Sequence, residues 1–110
     1  MIAYEDFAKV DMRVGRVIEV EDFERTKKPS YKVKVDFGPE IGVKVSSVQA
    51  RREYTREEML GRQVVAVVNF PAKNIAGFMS EVLILGVPCD DGSLSLLVPS
   101  HLAKIGGRMY

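Results

Sequence analysis

The stretch from Tyr31 to Val45 constrains the fold more than any other part of the chain. Tyr31, Val33, Val35 and Phe37 alternate with Lys32, Lys34 and Asp36. A period of two sends successive side chains to opposite faces of a strand. Gly38-Pro39-Glu40 supplies turn chemistry. Ile41, Val43 and Val45 then resume the alternation opposite Gly42 and Lys44. The pattern predicts a β-hairpin with an apolar inner face and a lysine-bearing outer face.

The rest of the chain supplies further strands. Met12, Val14, Ile18 and Val20 share one parity and predict a strand over 12–20, with a bend or bulge at Gly15. Val64–Phe70 and Val82–Val87 have the length and branching of buried strands. Cys89-Asp90-Asp91-Gly92 predicts a tight turn before a short strand at Leu94–Val98. Tyr4–Lys9 predicts one or two helical turns with Phe7 and Val10 facing inward. Thr55 and Glu58 have capping-box spacing, Tyr54 and Met59 have hydrophobic-staple spacing, and Gly61 ends a short helix. The tail from Pro99 has turn signals and little periodicity.

With no long helices between strands, a parallel sheet is disfavoured. Three strands, a helix and two strands is the order of an OB-fold, a five-stranded Greek-key barrel. An antiparallel sandwich is the alternative from pattern alone. At 110 residues and 46% hydrophobic composition, a single globular domain over 1–110 is expected. No run reaches the roughly 18 apolar residues of a membrane span, and the acidic start MIAYEDFAKV does not read as a secretory signal. One cysteine, Cys89, excludes an internal disulfide and fits a reducing cytoplasm.

Catalysis finds little support. The single histidine, His101, lies in the turn-rich tail, and no nucleophile–base arrangement accompanies it. One histidine and one cysteine do not make a zinc site. Asp90-Asp91-Gly92 lacks EF-hand spacing, and no phosphate-loop or dinucleotide pattern is present. The expectation is therefore no enzyme, no metal and no cofactor.

The net charge of +1 neither predicts nor excludes a nucleic-acid partner, because local clustering decides. Arg25, Lys27, Lys28, Lys32 and Lys34 follow one another with no acid among them. Lys32 and Lys34, joined by Lys44, read either as phosphate contacts on the second–third strand face or as an ordinary solvated face. Arg51, Arg52 and Arg56 are diluted by Glu53, Glu57 and Glu58 and read at least as well as a surface ion-pair lattice. Between the two late apolar runs, the connector carries Asn69, Pro71, Lys73, Asn74, Gly77, Ser80 and Glu81, more polar variety than a plain connection needs. Lys73 is a candidate phosphate contact. Phe78 is a candidate for base stacking or for burial against a partner subunit. Asn69 pins a loop or faces ligand.

At these residues the chain resembles the tRNA-binding-domain family, the OB-fold found free-standing and at the C-terminus of some methionyl-tRNA synthetases. It is most similar to the CsaA group. The stretches Phe7–Gly15, Val35–Gly38, Ile41–Gln49 and Val64–Gly86 carry the likeness. The resemblance implies a non-catalytic OB-fold, a homodimer built with the terminal segments, and tRNA recognised by shape. For the CsaA group it also implies a protein-export chaperone that binds unfolded or precursor polypeptides. Asn69, Lys73 and Ser80 match the family's strand-four asparagine, its basic position after the proline and its strand-five serine. Where tRNA-binding members read serine, any residue, glycine, methionine, this chain reads Ser80-Glu81-Val82-Leu83, the CsaA-type variant. The expected RNA-contacting set is Lys32, Lys34, Lys44, Asn69, Lys73, Phe78 and Ser80. The rival polypeptide surface is Phe70, Ile75, Phe78 and Met79. A purely structural assembly factor is the third possibility.

Overall fold

The alternation around Tyr31 becomes a hairpin because a strand with one apolar face must bury it. In the computed structural model, which describes residues 1–110, β1 (Met12–Phe23) pairs antiparallel with β2 (Ser30–Asp36), and β2 with β3 (Val43–Val48). A short helix, α1 (Tyr4–Ala8), precedes β1, and a single turn, α2 (Gly38–Ile41), links β2 to β3. Another single turn, α3 (Arg56–Met59), leads into β4 (Gln63–Val67), which pairs with the first half of β1. Two small hairpins follow, β5 (Lys73–Ile75) with β6 (Phe78–Ser80), and β8 (Gly86–Pro88) with β9 (Leu94–Leu96). Between them lies β7 (Leu83–Ile84), the partner of β4. The main sheet runs β3-β2-β1-β4-β7, all antiparallel, and curls into a nearly closed OB-fold barrel.

Val17, Val33, Val35, Phe37, Ala50, Met59, Val64 and Ala66 fill the core. Phe37, Val17 and Val35 lie wholly out of solvent. Gly15 makes the curl possible: a Cβ there would stand 2.5 Å from Val35 Cγ1 and 2.7 Å from the Phe37 ring. The bulge itself falls later, between Val17 and Glu19. An extra residue shifts the parity of everything beyond it. Val17, ahead of the bulge, faces inward opposite Val35, while Ile18, expected inside, is the extra residue and is exposed.

A second parity is also reversed. Val43 faces outward because it pairs with Asp36, and Lys44, Ser46 and Val48 share the inner parity of Val35, Val33 and Tyr31. The loop from Phe37 to Gly42, closed by Phe37 N–H donating to the Gly42 carbonyl, sets this register against the hydrophobic pattern. Ser46 is tolerated inside because its hydroxyl donates to the Val82 carbonyl at 3.0 Å.

α3 forms as the capping box requires. The Thr55 hydroxyl accepts from Glu58 N–H at 3.1 Å, and the Glu58 carboxylate accepts from Thr55 N–H at 2.9 Å. The segment 82–87 does not stay one strand. It leaves the main sheet after Leu85 and pairs with β9 instead, where Gly86 leaves no room for a Cβ beside the Leu94 side chain. The aperiodic tail is ordered by β1: Val14 N–H donates to Gly107, Gly106 N–H to Val14, and Met109 N–H to Met12. Arg13 secures it with bonds to Asp11 (2.6 Å), Glu40 (3.0 Å) and the Gly106 carbonyl (3.1 Å). The bonds to Asp11 and then Glu40 raise the guanidinium's pKa still further. No helix is long and apolar enough to cross a membrane.

Candidate nucleic-acid interface

The outer face of β1 and β2 carries Lys32 and Lys34, but the register sets a carboxylate beside each. Glu21 pairs with Lys32 and Glu19 with Lys34 across the strands. Lys34 Nζ lies 3.3 Å from Glu19 and Lys32 Nζ lies 3.8 Å from Glu21. Lys32 also sits over two rings, 4.8 Å from the centroid of Phe23 and 5.2 Å from that of Phe78. The two rings meet edge to face at 5.6 Å. Phe78 thus anchors the β5–β6 hairpin to the end of β1. Lys44 does not join this face: the register assigns it to the opposite one.

Asn69 and Ser80 spend their polar groups inside the molecule. Asn69 Oδ1 accepts from Asp11 N–H at 3.0 Å, and its Nδ2 donates to the Lys9 carbonyl at 2.8 Å. The strand ends before Asn69, which pins the segment joining α1 to β1. Ser80 is buried and its hydroxyl accepts from Ser47 N–H at 3.1 Å. Glu81, which marks the CsaA-type variant in sequence, closes the barrel. Its carboxylate accepts from Val45 N–H at 3.0 Å, and its own N–H donates to the Val45 carbonyl at 2.9 Å. β3 and β7 are not hydrogen-bonded neighbours in the sheet, so residues 80–82 bridge the seam.

A concavity of about 1180 Å³ lies beside that seam. The β5–β6 hairpin and Phe70 form one wall, and the β8–β9 hairpin forms the other. The floor is the end of β3 running into the loop before α3. Lys28, Arg52 and Lys73 line it, and no carboxylate lies within 4.0 Å of any of them. Its acids are engaged with backbone: Glu53 accepts from Leu94 N–H at 2.6 Å, Glu81 from Val45, and Asp91 from Ser93 N–H at 3.0 Å. Bonds from the Ser93 hydroxyl and then its N–H hold the Asp91 carboxyl below the usual carboxylate range. Phe70, half exposed, and Ile75, Val87 and Leu94 add apolar surface.

Two smaller cavities adjoin this end. One, about 400 Å³, is lined by Lys27, Arg51, Arg52 and Glu24 among others; the second, about 340 Å³, lies by Tyr31, Arg52 and Arg56. Of the expected contact set, the structure places only Lys73 in the groove with its charge free and Ser80 in its lining. Lys28 and Arg52 complete the free cations there. Sequence order hides them: Lys28 stands in a basic run whose strand members are neutralised, and Arg52 sits among glutamates that turn elsewhere.

The model of a "Putative tRNA binding domain" matches residues 12–108. The methionine–tRNA ligase of Pyrococcus abyssi is 38% identical over 98% of this chain, which spans 14% of that protein's length. Among solved structures, the CsaA chaperone protein from Picrophilus torridus superposes with a TM-score of 0.93 at 46% identity, covering 100% of both chains. Chaperone CsaA from Bacillus anthracis gives 0.92 at 42% identity, covering 100% of this chain and 99% of the other. The MetRS-related protein from Pyrococcus horikoshii gives 0.87 at 27% identity, covering 100% and 98%. The chain belongs to the tRNA-binding-domain family, and within it to the CsaA-like group.

Proposed function

We propose that this protein is a non-catalytic binding module for tRNA or similarly structured RNA, acting in the cytoplasm, with the groove beside the barrel seam as its contact surface. The observation that carries the reading is the groove's charge arrangement: Lys28 and Lys73 are free while every lining acid is engaged with backbone. Free cations release counterions when phosphates bind, which makes affinity salt-dependent. Family membership supports tRNA as the ligand class. Because the chain spans 14% of the ligase, its recognition of tRNA is carried over and the ligase reaction is not. The test is anisotropy of labelled bulk tRNA over a potassium chloride series. Affinity falling log-linearly with salt, with a shallower slope for Lys73→Ala, supports the reading; no binding at low salt removes it.

The exposed apolar surface favours a second reading. Phe70 and Met79 are each 50% exposed beside or within this wall, and two structural relatives are named chaperones. A polypeptide ligand would use Phe70, Ile75 and Val87, with methionine adapting to varied side chains. Unfolded carboxymethylated α-lactalbumin should then bind with little salt dependence, and Phe70→Ala should weaken it.

A homodimer through the terminal segments is part of the proposal. Ile2, Tyr4, Leu102 and Tyr110 leave apolar surface uncovered at the two ends of the chain. A second copy would cover it and double the basic surface, raising avidity. Light scattering that reports a monomer at micromolar concentration overturns this.

A further inference from the structure

The geometry points to Arg52 as a phosphate-binding residue that carries an RNA backbone from the groove onto the neighbouring Lys27–Arg51 pocket. This rests on the RNA reading above and extends it to a second anion subsite. Arg52 is the single residue that lines all three cavities at this end of the molecule. It is exposed and has no carboxylate within 4.0 Å. A guanidinium presents five donors in a rigid fork, so one such group can bridge adjacent phosphate oxygens across a ridge between two hollows.

The smaller pocket is built to receive an anion. Lys27, Arg51 and Arg52 line it, and Glu24 is its single acid. Arg51 reaches Asp22 and Glu24 at 3.7 Å each, with its side chain about one third exposed. Exposed pairs this long are weak and exchange readily for a phosphate. The cation-bearing segments are also held against one another. The Lys28 carbonyl accepts from the Thr26 hydroxyl at 2.6 Å and from the Ser30 hydroxyl at 2.9 Å. Arg51 N–H donates to the Pro29 carbonyl at 3.4 Å, fastening the β1–β2 loop to the loop that carries Arg52. These contacts hold the backbones of the two loops side by side, leaving the cationic side chains to order on the ligand. The result is a track of cations from Lys73 past Lys28 and Arg52 to Lys27.

The same tRNA anisotropy series tests this on the full chain with Arg52→Gln, Arg52→Lys, Lys73→Ala and Lys34→Gln. Arg52→Gln should weaken binding about tenfold and reduce the salt slope by about one, while Lys34→Gln changes neither. Arg52→Lys should restore the slope but not the full affinity, because it returns the charge without the fork. Unchanged melting temperatures establish that the variants fold. If Lys73→Ala lowers affinity and slope while Arg52→Gln leaves both at the parent values, the track is wrong and the groove reading stands. If the parent chain binds no tRNA at low salt, the RNA reading itself falls, and this inference with it. Arg52→Gln weakening carboxymethylated α-lactalbumin while leaving tRNA untouched would assign Arg52 to a polypeptide site and overturn the proposal.

Discussion

Two lysine-bearing regions of this molecule look alike in sequence and differ in what their charges are free to do. On the outer face of β1–β2, Lys32 and Lys34 stand 3.8 and 3.3 Å from Glu21 and Glu19. At the groove, Lys28 and Lys73 have no carboxylate within 4.0 Å, although Glu53, Glu81 and Asp91 line the same groove. The difference lies in where the acids turn. Strand register brings the first pair of glutamates to the lysines, whereas backbone N–H groups capture the groove acids. A basic run is therefore a poor guide to a phosphate site until cross-strand partners are known.

The largest effect should come from breaking the wall that carries Lys73. Glu81→Ala leaves Val45 N–H without its acceptor at a seam that has no strand ladder. The expected loss is about 1–3 kcal/mol, the cost of an unsatisfied partly buried group, read by urea denaturation. Accelerated amide exchange at Val45 and in β5–β6 should accompany it; an unchanged midpoint would show that the carboxylate does not hold the seam.

The second test compares the regions directly. Lys28→Ala with Lys73→Ala should flatten the tRNA salt slope by about two phosphate contacts, whereas Lys32→Ala with Lys34→Ala should leave it nearly unchanged. Equal slopes in the two double variants would erase the distinction. A third variant converts one region into the other: Glu19→Gln with Glu21→Gln frees the outer-face lysines without touching them. Affinity for tRNA at low salt should rise modestly, and the slope should steepen.

Asn69→Ala separates a structural amide from a ligand-facing one. It removes the two bonds to Asp11 and Lys9 and should cost about 1–2 kcal/mol of stability, measured by thermal melting, while the folded variant keeps its salt slope. The smallest effect concerns acid. Bonds from Thr55, backbone first and then hydroxyl, hold the Glu58 carboxyl below its ordinary value. A lowered folded-state pKa supplies stability above the unfolded value, about 4.3, and that stability is lost as pH falls through the folded one. Glu58→Gln should flatten that part of the acid-stability curve, while Thr55→Ala, which keeps the backbone N–H, should flatten it only in part and loosen the loop before α3 that carries Arg52.

Much of the architecture was legible because it rests on local rules. The alternation from Tyr31 to Phe37, the buried run at Val64, the capping box at Thr55 and the short connections lead to the observed barrel. The misread residues share one cause. Ile18 and Val43 had the right residue type for the core, but a bulge after Val17 and the turn at Phe37–Gly42 moved them to the other face. Parity is local only until an extra residue or a turn resets it. The site was harder still. Lys73 was visible because it stands alone in a polar connector, whereas Arg52 was discounted because glutamates surround it in the chain.

By itself, then, the amino-acid sequence determined the order of the main strands and the presence of a polar connector above the barrel, since these follow from periodicity, turn chemistry and residue type; the family came from the resemblance of four matching stretches. Tertiary structure alone decided that Glu81 and Ser80 close the barrel seam, that Asn69 pins the segment before β1, and that Lys28, Arg52 and Lys73 are the unpaired cations of the groove. Hydrogen bonds and ion pairs join residues far apart in the chain, and which charge is neutralised depends on register and seam geometry that no local pattern encodes.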